Sequence, residues 1–154
     1  MSHADDPLES AVRAFLAAAP RPDEAERTAL AAANDLERTP ERVAALWRNN
    51  LLSGYSLDPG AELGEPIPDT AGAVVALTGI PFHSVCPHHL LPYSGEAHVA
   101  YAPAGQIVGF GGIERLVAAL SRRLILQEDL TRAIVDALSD HLAAAGAACA
   151  IEAT

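Results

Sequence analysis

The spacing of apolar residues changes near Gly72, and this change limits the folds that the chain can adopt. Before Gly72, apolar side chains recur at helical intervals, which predicts helices over 8–19, about 23–34 and 39–51. Residues 53–72 contain four glycines and three prolines without a clear period, so we expect a loop there. The sequence therefore predicts a helical region over 1–52 and a region of different character from residue 73.

Beyond Gly72 the chain alternates between strand-like and helix-like segments. Strand-like runs occupy 73–78, 80–85, 95–101, 107–110 and 147–153, and helical patterns cover about 112–123 and 127–144. The run 80–85 continues the first strand, and 107–110 is only a short apolar piece. The resulting order of two strands, two helices and a strand predicts an α+β fold, with 73–154 as its second region within a single domain. Because the last strand lies at the end of the chain, we expect it to lack room to pair.

Two local signals fix expected helix boundaries. Thr39-Pro40 is typical of a capping threonine followed by a proline in the first turn, so we expect Thr39 to cap the third helix. Gly146 follows the last helical pattern and is expected to end that helix.

Composition excludes several classes of protein. The 154 residues include ten basic and twenty acidic side chains, a net charge of −10, which does not suit a nucleic-acid binder. No apolar run approaches the roughly 20 residues of a membrane span, and the acidic N-terminus is unlike a signal peptide. Two cysteines do not make a disulfide scaffold. We therefore expect a cytoplasmic protein with no membrane or nucleic-acid partner.

All ten basic residues are arginine, which excludes catalysis by a lysine side chain.

The densest group of reactive side chains lies between His83 and His89. Cys86 and His89 have a Cys-x2-His spacing that lets both reach one zinc ion from a tight turn, and His88 between them should point elsewhere. Histidine is suited to proton transfer near neutral pH, so His88 is a candidate acid–base residue. A set of surface histidines without a metal remains the alternative from spacing alone.

Other polar residues carry weak signals by themselves. Gln127 and Glu128 begin the last predicted helix, where acidic side chains commonly interact with the helix dipole. Arg115 could bind a phosphate, and Arg122-Arg123 looks like a doublet on a solvated helix face.

Together, four motifs resemble the GTP cyclohydrolase I family from about residue 36 to the end. The motifs are Thr39-Pro40-x-Arg42-Val43, Cys86-Pro87-His88-His89-Leu90-x-Pro92, Gly95-x3-Val99-x-Tyr101-x-Pro103 and Ser121-Arg122-Arg123-Leu124-x2-Gln127-Glu128-x-Leu130-Thr131. The resemblance implies a tunnelling fold, a ββααββ-type antiparallel sheet with a helix pair, whose last strand is truncated here. It also implies a homo-oligomer, a decamer in the family, with active sites between subunits.

The resemblance further implies hydrolytic opening of the guanine imidazole ring of GTP, giving formate and 7,8-dihydroneopterin triphosphate. By matching motif positions, the expected roles are zinc ligands Cys86 and His89, catalytic His88, guanine-binding Glu128 with Gln127 beside it, and triphosphate-binding Arg115. Zinc is the implied cofactor, because such an ion activates water for hydrolysis.

Three departures from the family pattern bear on activity. The family's Ser-Lys, which contacts triphosphate, is replaced by Gly111-Gly112, where only backbone N–H groups could bind phosphate. Pro87 replaces a glutamate. The family's third zinc ligand, a cysteine, and a further catalytic histidine fall beyond Thr154. Cys149 lies about eight positions too early on an extended strand to substitute and looks like a small core residue, whereas His83 is the better candidate for a compensating ligand.

These departures leave three functions open. The first is a GTP cyclohydrolase I, aided by an arginine cluster of Arg115 with Arg122 or Arg123 from a neighbouring subunit. The second is a divergent paralogue acting on a purine or pterin without triphosphate. The third is a non-catalytic guanine-binding oligomer, against which the intact Cys-x-His-His argues.

Overall fold

A computed structural model describes residues 6–19, 23, 25, 28 and 36–154. The chain divides into two compact units, the first ending at Asn50 and the second comprising Leu51–Thr154. Most of the helix predicted over 23–34 lies outside the described residues.

The described part of the first unit is helical. Helix α1 spans Pro7–Ala18, as the apolar spacing predicted, and Asp6 caps it by accepting hydrogen bonds from the backbone N–H groups of Leu8 and Glu9. Arg48 holds the same carboxylate with two hydrogen bonds of 2.7 and 2.9 Å, and this contact lowers the pKa of Asp6.

Helix α2 spans Thr39–Leu46 and continues into a π-helical turn over Trp47–Leu51. The prediction that Thr39 caps this helix is wrong. A 3₁₀ turn over Leu36–Arg38 precedes it, and Arg38 in the capping position already has helical dihedral angles. The backbone therefore enters α2 in a helical conformation without a hydroxyl cap.

The second unit begins with short elements in the stretch predicted as a loop. A 3₁₀ turn covers Ser53–Ser56, helix α3 covers Pro59–Leu63, and strand β1 covers Ile67–Pro68. Asp58 caps α3 through the N–H of Gly60 at 2.8 Å. The loop prediction is wrong because capping and sheet pairing stabilise elements too short to show a hydrophobic period.

A three-stranded antiparallel sheet forms the centre of this unit, in the order β2-β3-β5. Its strands are β2 over Val75–Val85, β3 over Pro92–Ala102 and β5 over Gly146–Ala153, while β4 over Gln106–Ile107 pairs with β1. The two predicted runs before residue 86 form the single strand β2, with a register shift between Leu77 and Ile80. Gly79, at φ +71°, makes this irregularity possible.

Strand β5 pairs with β3 along its whole length, from Gly146 opposite Ala102 to Ala153 opposite Gly95. The expectation that the last strand has no room to pair is therefore wrong, because the preceding helix returns the chain directly to the free edge of β3. The predicted helix end at Gly146 is also wrong. Ala143, in the left-handed conformation, caps the helix, and Gly146 begins β5.

Helices α4 (Phe110–Ser121) and α5 (Gln127–Leu142) contribute their apolar faces to the core with one face of the sheet. The fully buried side chains include Val99, Tyr101, Ile113, Leu116, Leu130, Ile134 and Leu138. This arrangement confirms the predicted α+β fold. It places the start of α5 and the end of β2 at the same end of the core.

Candidate functional site

The Cys-x-His-His motif forms a tight turn where β2 ends. The N–H of Leu90 donates to the carbonyl of Cys86 at 2.8 Å, and the N–H of Cys86 donates to the carbonyl of Leu91 at 2.9 Å. Within the turn, Sγ of Cys86 lies 3.7 Å from Nδ1 of His89. The ring of His88 stands nearly perpendicular to that of His89, with centroids 6.2 Å apart. The turn thus pairs Cys86 with His89 and leaves His88 exposed.

The Cys86–His89 pair fits two ligands of a tetrahedral zinc ion. Ordinary Zn–S and Zn–N lengths place the two ligand atoms about 3.6 Å apart, close to the 3.7 Å observed. Among the described residues, no group of three His, Cys, Asp or Glu side chains could hold a metal ion. His83, on β2 opposite Ser94, therefore does not complete such a group.

Cys149 also lies away from this pair, on β5 opposite Val99, and it packs against the core. Burial raises the pKa of its thiol to about 11, so the thiol stays protonated at neutral pH. This placement agrees with its interpretation as a small core residue.

The connection between α4 and α5 brings Gln127 and Glu128 to the same end of the sheet as the turn. Val85 makes a parallel bridge with Leu124, and its carbonyl accepts a 3.2 Å hydrogen bond from the N–H of Ile125. Gln127 and Glu128 follow at once in the first turn of α5, and both side chains are exposed. Pairing at the end of β2 thus brings two distant sequence motifs together.

Tyr93 lies close to both motifs, and the sequence gave no prediction for it. Its hydroxyl donates a 2.9 Å hydrogen bond to the carbonyl of Ile125. Burial raises the pKa of Tyr93, a hydrogen bond with Ser84 lowers it, and the nearby Cys86 and Glu128 raise it further. The hydroxyl is therefore within electrostatic reach of both predicted groups. Spacing alone gave no signal, because Tyr93 looks like any aromatic residue at the start of a strand.

The predicted phosphate-binding residues lie at the start of α4. Gly109 caps this helix without a side chain. Arg115 donates from Nε to the carbonyl of Glu62 at 3.1 Å and lies 3.6 Å from the Glu62 carboxylate. Its guanidinium group lies beside Gly111, whereas a Cβ at Gly112 would overlap the carbonyl oxygen of Leu63. Close packing of α3 thus requires glycine at position 112.

The interpretation of Arg122-Arg123 as a solvated doublet is wrong for Arg123. Its guanidinium group donates to the carbonyls of Ala119 and Gly54 at 2.9 Å each and to Leu57 at 3.4 Å. It also lies over the ring of Tyr55, 5.7 Å from the centroid. Through these contacts with backbone carbonyls, Arg123 holds the 3₁₀ turn over Ser53–Ser56 against α4.

Comparison with known proteins decides the family. The model of the GTP cyclohydrolase I family matches residues 10–154. The chain belongs to the GTP cyclohydrolase I family. This confirms the resemblance given by the four motifs, and the mixed helices and antiparallel sheet are consistent with its tunnelling fold.

Relatives in the family include GTP cyclohydrolase 1 of Ralstonia nicotianae, 47% identical over 116 residues, which are 75% of this chain and 56% of that protein. GTP cyclohydrolase 1 of Chromobacterium violaceum is 46% identical over 116 residues, with the same two shares of 75% and 56%. GTP cyclohydrolase 1 of Rhodopirellula baltica is 37% identical over 148 residues, 96% of this chain and 60% of that protein. The chain therefore spans little more than half the length of these relatives. Within its described part, no helix is long and apolar enough to cross a membrane.

Proposed function

We propose that this protein is a zinc-dependent GTP cyclohydrolase I-type hydrolase, which opens the imidazole ring of a guanine nucleotide and releases formate. With GTP, the expected second product is 7,8-dihydroneopterin triphosphate. The observation that supports this most is the pairing between the end of β2 and the α4–α5 connection, which brings the Cys86–His89 pair and Glu128 to the same end of the core. A pair of zinc ligands at the same end of the core as a guanine-binding carboxylate would suit hydrolysis of a bound guanine ring.

Each candidate residue at the end of the core where β2 ends and α5 begins has a distinct proposed role. Cys86 and His89 would hold zinc, and the chemistry that zinc supplies when bound is Lewis-acid activation of water. The exposed carboxylate of Glu128 would accept hydrogen bonds from two N–H donors of guanine, with Gln127 beside it. Adenine does not offer this pair of donors and would leave the carboxylate unpaired. His88 would donate a proton to an imidazole-ring nitrogen of guanine as the ring opens.

One set of observations favours a second candidate, a paralogue that acts on a guanine compound without a triphosphate. Packing against Leu63 leaves no room at position 112 for a side chain, and Arg123 is occupied by backbone carbonyls. Phosphate binding would then depend on Arg115 and on the backbone N–H groups around Gly111, a weaker set than a lysine and a hydroxyl provide.

We also propose that the protein is a cytoplasmic homo-oligomer, a decamer by analogy with its family. In the three-stranded sheet, β2 and β5 are the outer strands, and each has one edge without a partner in that sheet. Exposed strand edges favour pairing with another chain, so association of subunits through their sheets is physically reasonable.

The deciding experiment is an assay of the zinc-loaded chain with GTP, GMP and guanosine in parallel, measuring formate release and pterin fluorescence. Turnover of GTP supports the first candidate, and turnover of only GMP or guanosine supports the second. Absence of turnover with all three compounds, while zinc remains bound, would contradict both.

His88→Ala in the same assay tests the proton-transfer role. We expect turnover to fall about 100-fold or more with zinc content unchanged, because general acid–base groups contribute roughly 10²–10⁴-fold. His141→Ala is the matched control, since His141 packs against Gly60 in the last turn of α5 and has no proposed part in the chemistry. Equal rates for the two variants would remove His88 from the mechanism.

A further inference from the structure

The connection from α4 to α5, residues 122–126, is hydrogen-bonded closely to the end of β2. The N–H of Val85 donates to the carbonyl of Arg123 at 3.4 Å, and the N–H of Ile125 donates to the carbonyl of Val85 at 3.2 Å. The hydroxyl of the fully buried Ser84 also donates to the carbonyl of Arg123, at 3.2 Å. Because Glu128 follows Ile125 by three residues, the position of this connection determines where the first turn of α5 lies.

Tyr93 adds a hydrogen bond to the connection from the neighbouring strand. It stands opposite Ser84 in the β2–β3 register, and its hydroxyl reaches the carbonyl of Ile125 at 2.9 Å. Its ring packs edge-on against Phe82, with centroids 6.0 Å apart and planes at 81°. Since strand pairing and this ring contact fix the side chain, the hydroxyl is a rigid attachment point for Ile125.

The surroundings keep this hydroxyl in its donor form. Burial raises the pKa of Tyr93, and the nearby charges of Cys86 and Glu128 act in the same direction. The phenol therefore remains protonated at neutral pH and continues to donate to Ile125. Both the proposed zinc ligand Cys86 and the proposed guanine-binding Glu128 are thus near enough to act on this hydroxyl.

We propose that Tyr93 is a positioning residue, whose hydroxyl fixes Ile125 and thereby the distance of Glu128 from the Cys86–His89 turn. It acts through the backbone of the connection, without touching the substrate. This inference rests on the proposed function, because it assumes that Glu128 binds guanine.

Tyr93→Phe tests the inference, because it removes the hydroxyl and keeps the ring against Phe82. The matched control is Tyr101→Phe, which also removes a tyrosine hydroxyl bonded to one backbone group, here the N–H of Val108 at 3.2 Å. Tyr101 belongs to the core, and among the described residues its hydroxyl is bonded to Val108, outside residues 122–126. Tyr101→Phe should lose at least as much thermal stability as Tyr93→Phe, because it leaves the buried N–H of Val108 without its partner.

The measurements are guanosine affinity by calorimetry, zinc affinity, and hydrogen exchange at residues 122–128. In Tyr93→Phe we expect the Kd for guanosine to rise about 3- to 10-fold, the range of one net hydrogen bond, and exchange at 122–128 to quicken. Zinc affinity should stay unchanged, since Cys86 and His89 belong to a separate turn. Tyr101→Phe should bind guanosine like the unaltered chain.

Three results would overturn the inference. The first is an unchanged guanosine Kd in Tyr93→Phe. The second is a loss of guanosine affinity in Tyr101→Phe equal to that in Tyr93→Phe. The third is a loss of zinc affinity in Tyr93→Phe as large as its loss of guanosine affinity. If the unaltered chain binds neither guanosine nor GTP, the proposed function fails first, and the inference fails with it. Should Tyr93→Phe not fold, Ser84→Ala removes another side-chain bond to the connection and should raise the guanosine Kd in the same way.

Discussion

The two ends of the candidate site differ in what their residues provide. At the metal–guanine end, named for its proposed roles, Cys86 and His89 lie 3.7 Å apart in one turn, and Glu128 lies in a helix that begins beside the end of the same strand. At the phosphate end, which comprises the Gly109–Gly112 turn and Arg115, the family's hydroxyl and ammonium groups are replaced by glycines, and the arginine is hydrogen-bonded to Glu62. Under the proposed function, ring chemistry and phosphate binding would therefore depend on separate parts of this fold.

A physical reason accounts for the difference. Holding zinc and recognising a guanine edge require particular side-chain atoms at fixed distances. Phosphate can also be bound by backbone N–H groups at a helix start, which every residue type except proline provides. In the proposed function, loss of side chains at the phosphate end would therefore weaken phosphate binding without abolishing it, whereas the same loss at the metal–guanine end would remove the chemistry.

The largest expected effect comes from Cys86→Ala. Removing one of two zinc ligands should eliminate zinc retention after dialysis and reduce turnover by about 100-fold or more. Cys149→Ala is the matched control, because that thiol lies on β5 and stays protonated with a pKa of about 11. Zinc content by elemental analysis checks both variants. Retention of zinc by Cys86→Ala would show that the ligand assignment is wrong.

Glu128→Gln comes next. A hydrogen bond to a charged group contributes about 1.5–3 kcal/mol, so the Kd for guanosine should rise about 10- to 100-fold. Asp129→Asn is its control on the neighbouring position, where the carboxylate instead contacts Arg132 at 3.1 Å. Calorimetric titration with guanosine separates the two. If both variants bind guanosine with unchanged affinity, the guanine site lies elsewhere.

Substitution of Gly111 and Gly112 at the phosphate end tests whether packing requires glycine at position 112. Gly112→Ala should lower the free energy of unfolding by about 1–3 kcal/mol, because the added methyl group overlaps the carbonyl of Leu63. Gly111→Ala should change it little, since its Cβ would meet only the end of the Arg115 side chain at 3.4 Å. Urea denaturation measures both. Equal stabilities would contradict the packing reason for Gly112.

The smallest effect is expected for Arg115→Gln. We expect the Kd for GTP to rise about 5-fold and the Kd for guanosine to stay unchanged, since an exposed arginine contributes modestly to phosphate binding. Arg132→Gln, which removes an exposed arginine of α5 paired with Asp129, is the control. If Arg115→Gln changes the Kd for GTP and the Kd for guanosine by the same factor, this arginine does not contact phosphate. The second candidate function then gains support.

Much of the fold could be predicted from the sequence because its signals are local. Helix α1 and the apolar faces of α4 and α5 follow from spacings of three and four residues. The Gly/Pro-rich stretch failed as a loop prediction because capping by Asp58 and the pairing of β1 with β4 stabilise elements of two to five residues. The pairing of β5 likewise depends on a strand more than forty residues away in the chain.

The site could be predicted in part. The motifs gave the identities of Cys86, His89 and Glu128, and their roles remain proposals. Tyr93 and Arg123 could not be assigned, because their partners are the carbonyls of Ile125, Gly54 and Leu57, which no side-chain pattern encodes.

By itself, the sequence determined the family, the α+β class and the kinds of side chain available at the candidate site. It could do so because motifs and hydrophobic periodicity involve residues that are close together in the chain. Only the tertiary structure decided which of those groups meet. It brought the end of β2 against the α4–α5 connection, bonded Tyr93 to Ile125 of that connection, and packed Leu63 onto Gly112. These contacts depend on strand register and helix packing between distant segments, and such long-range geometry has no local signature in the chain.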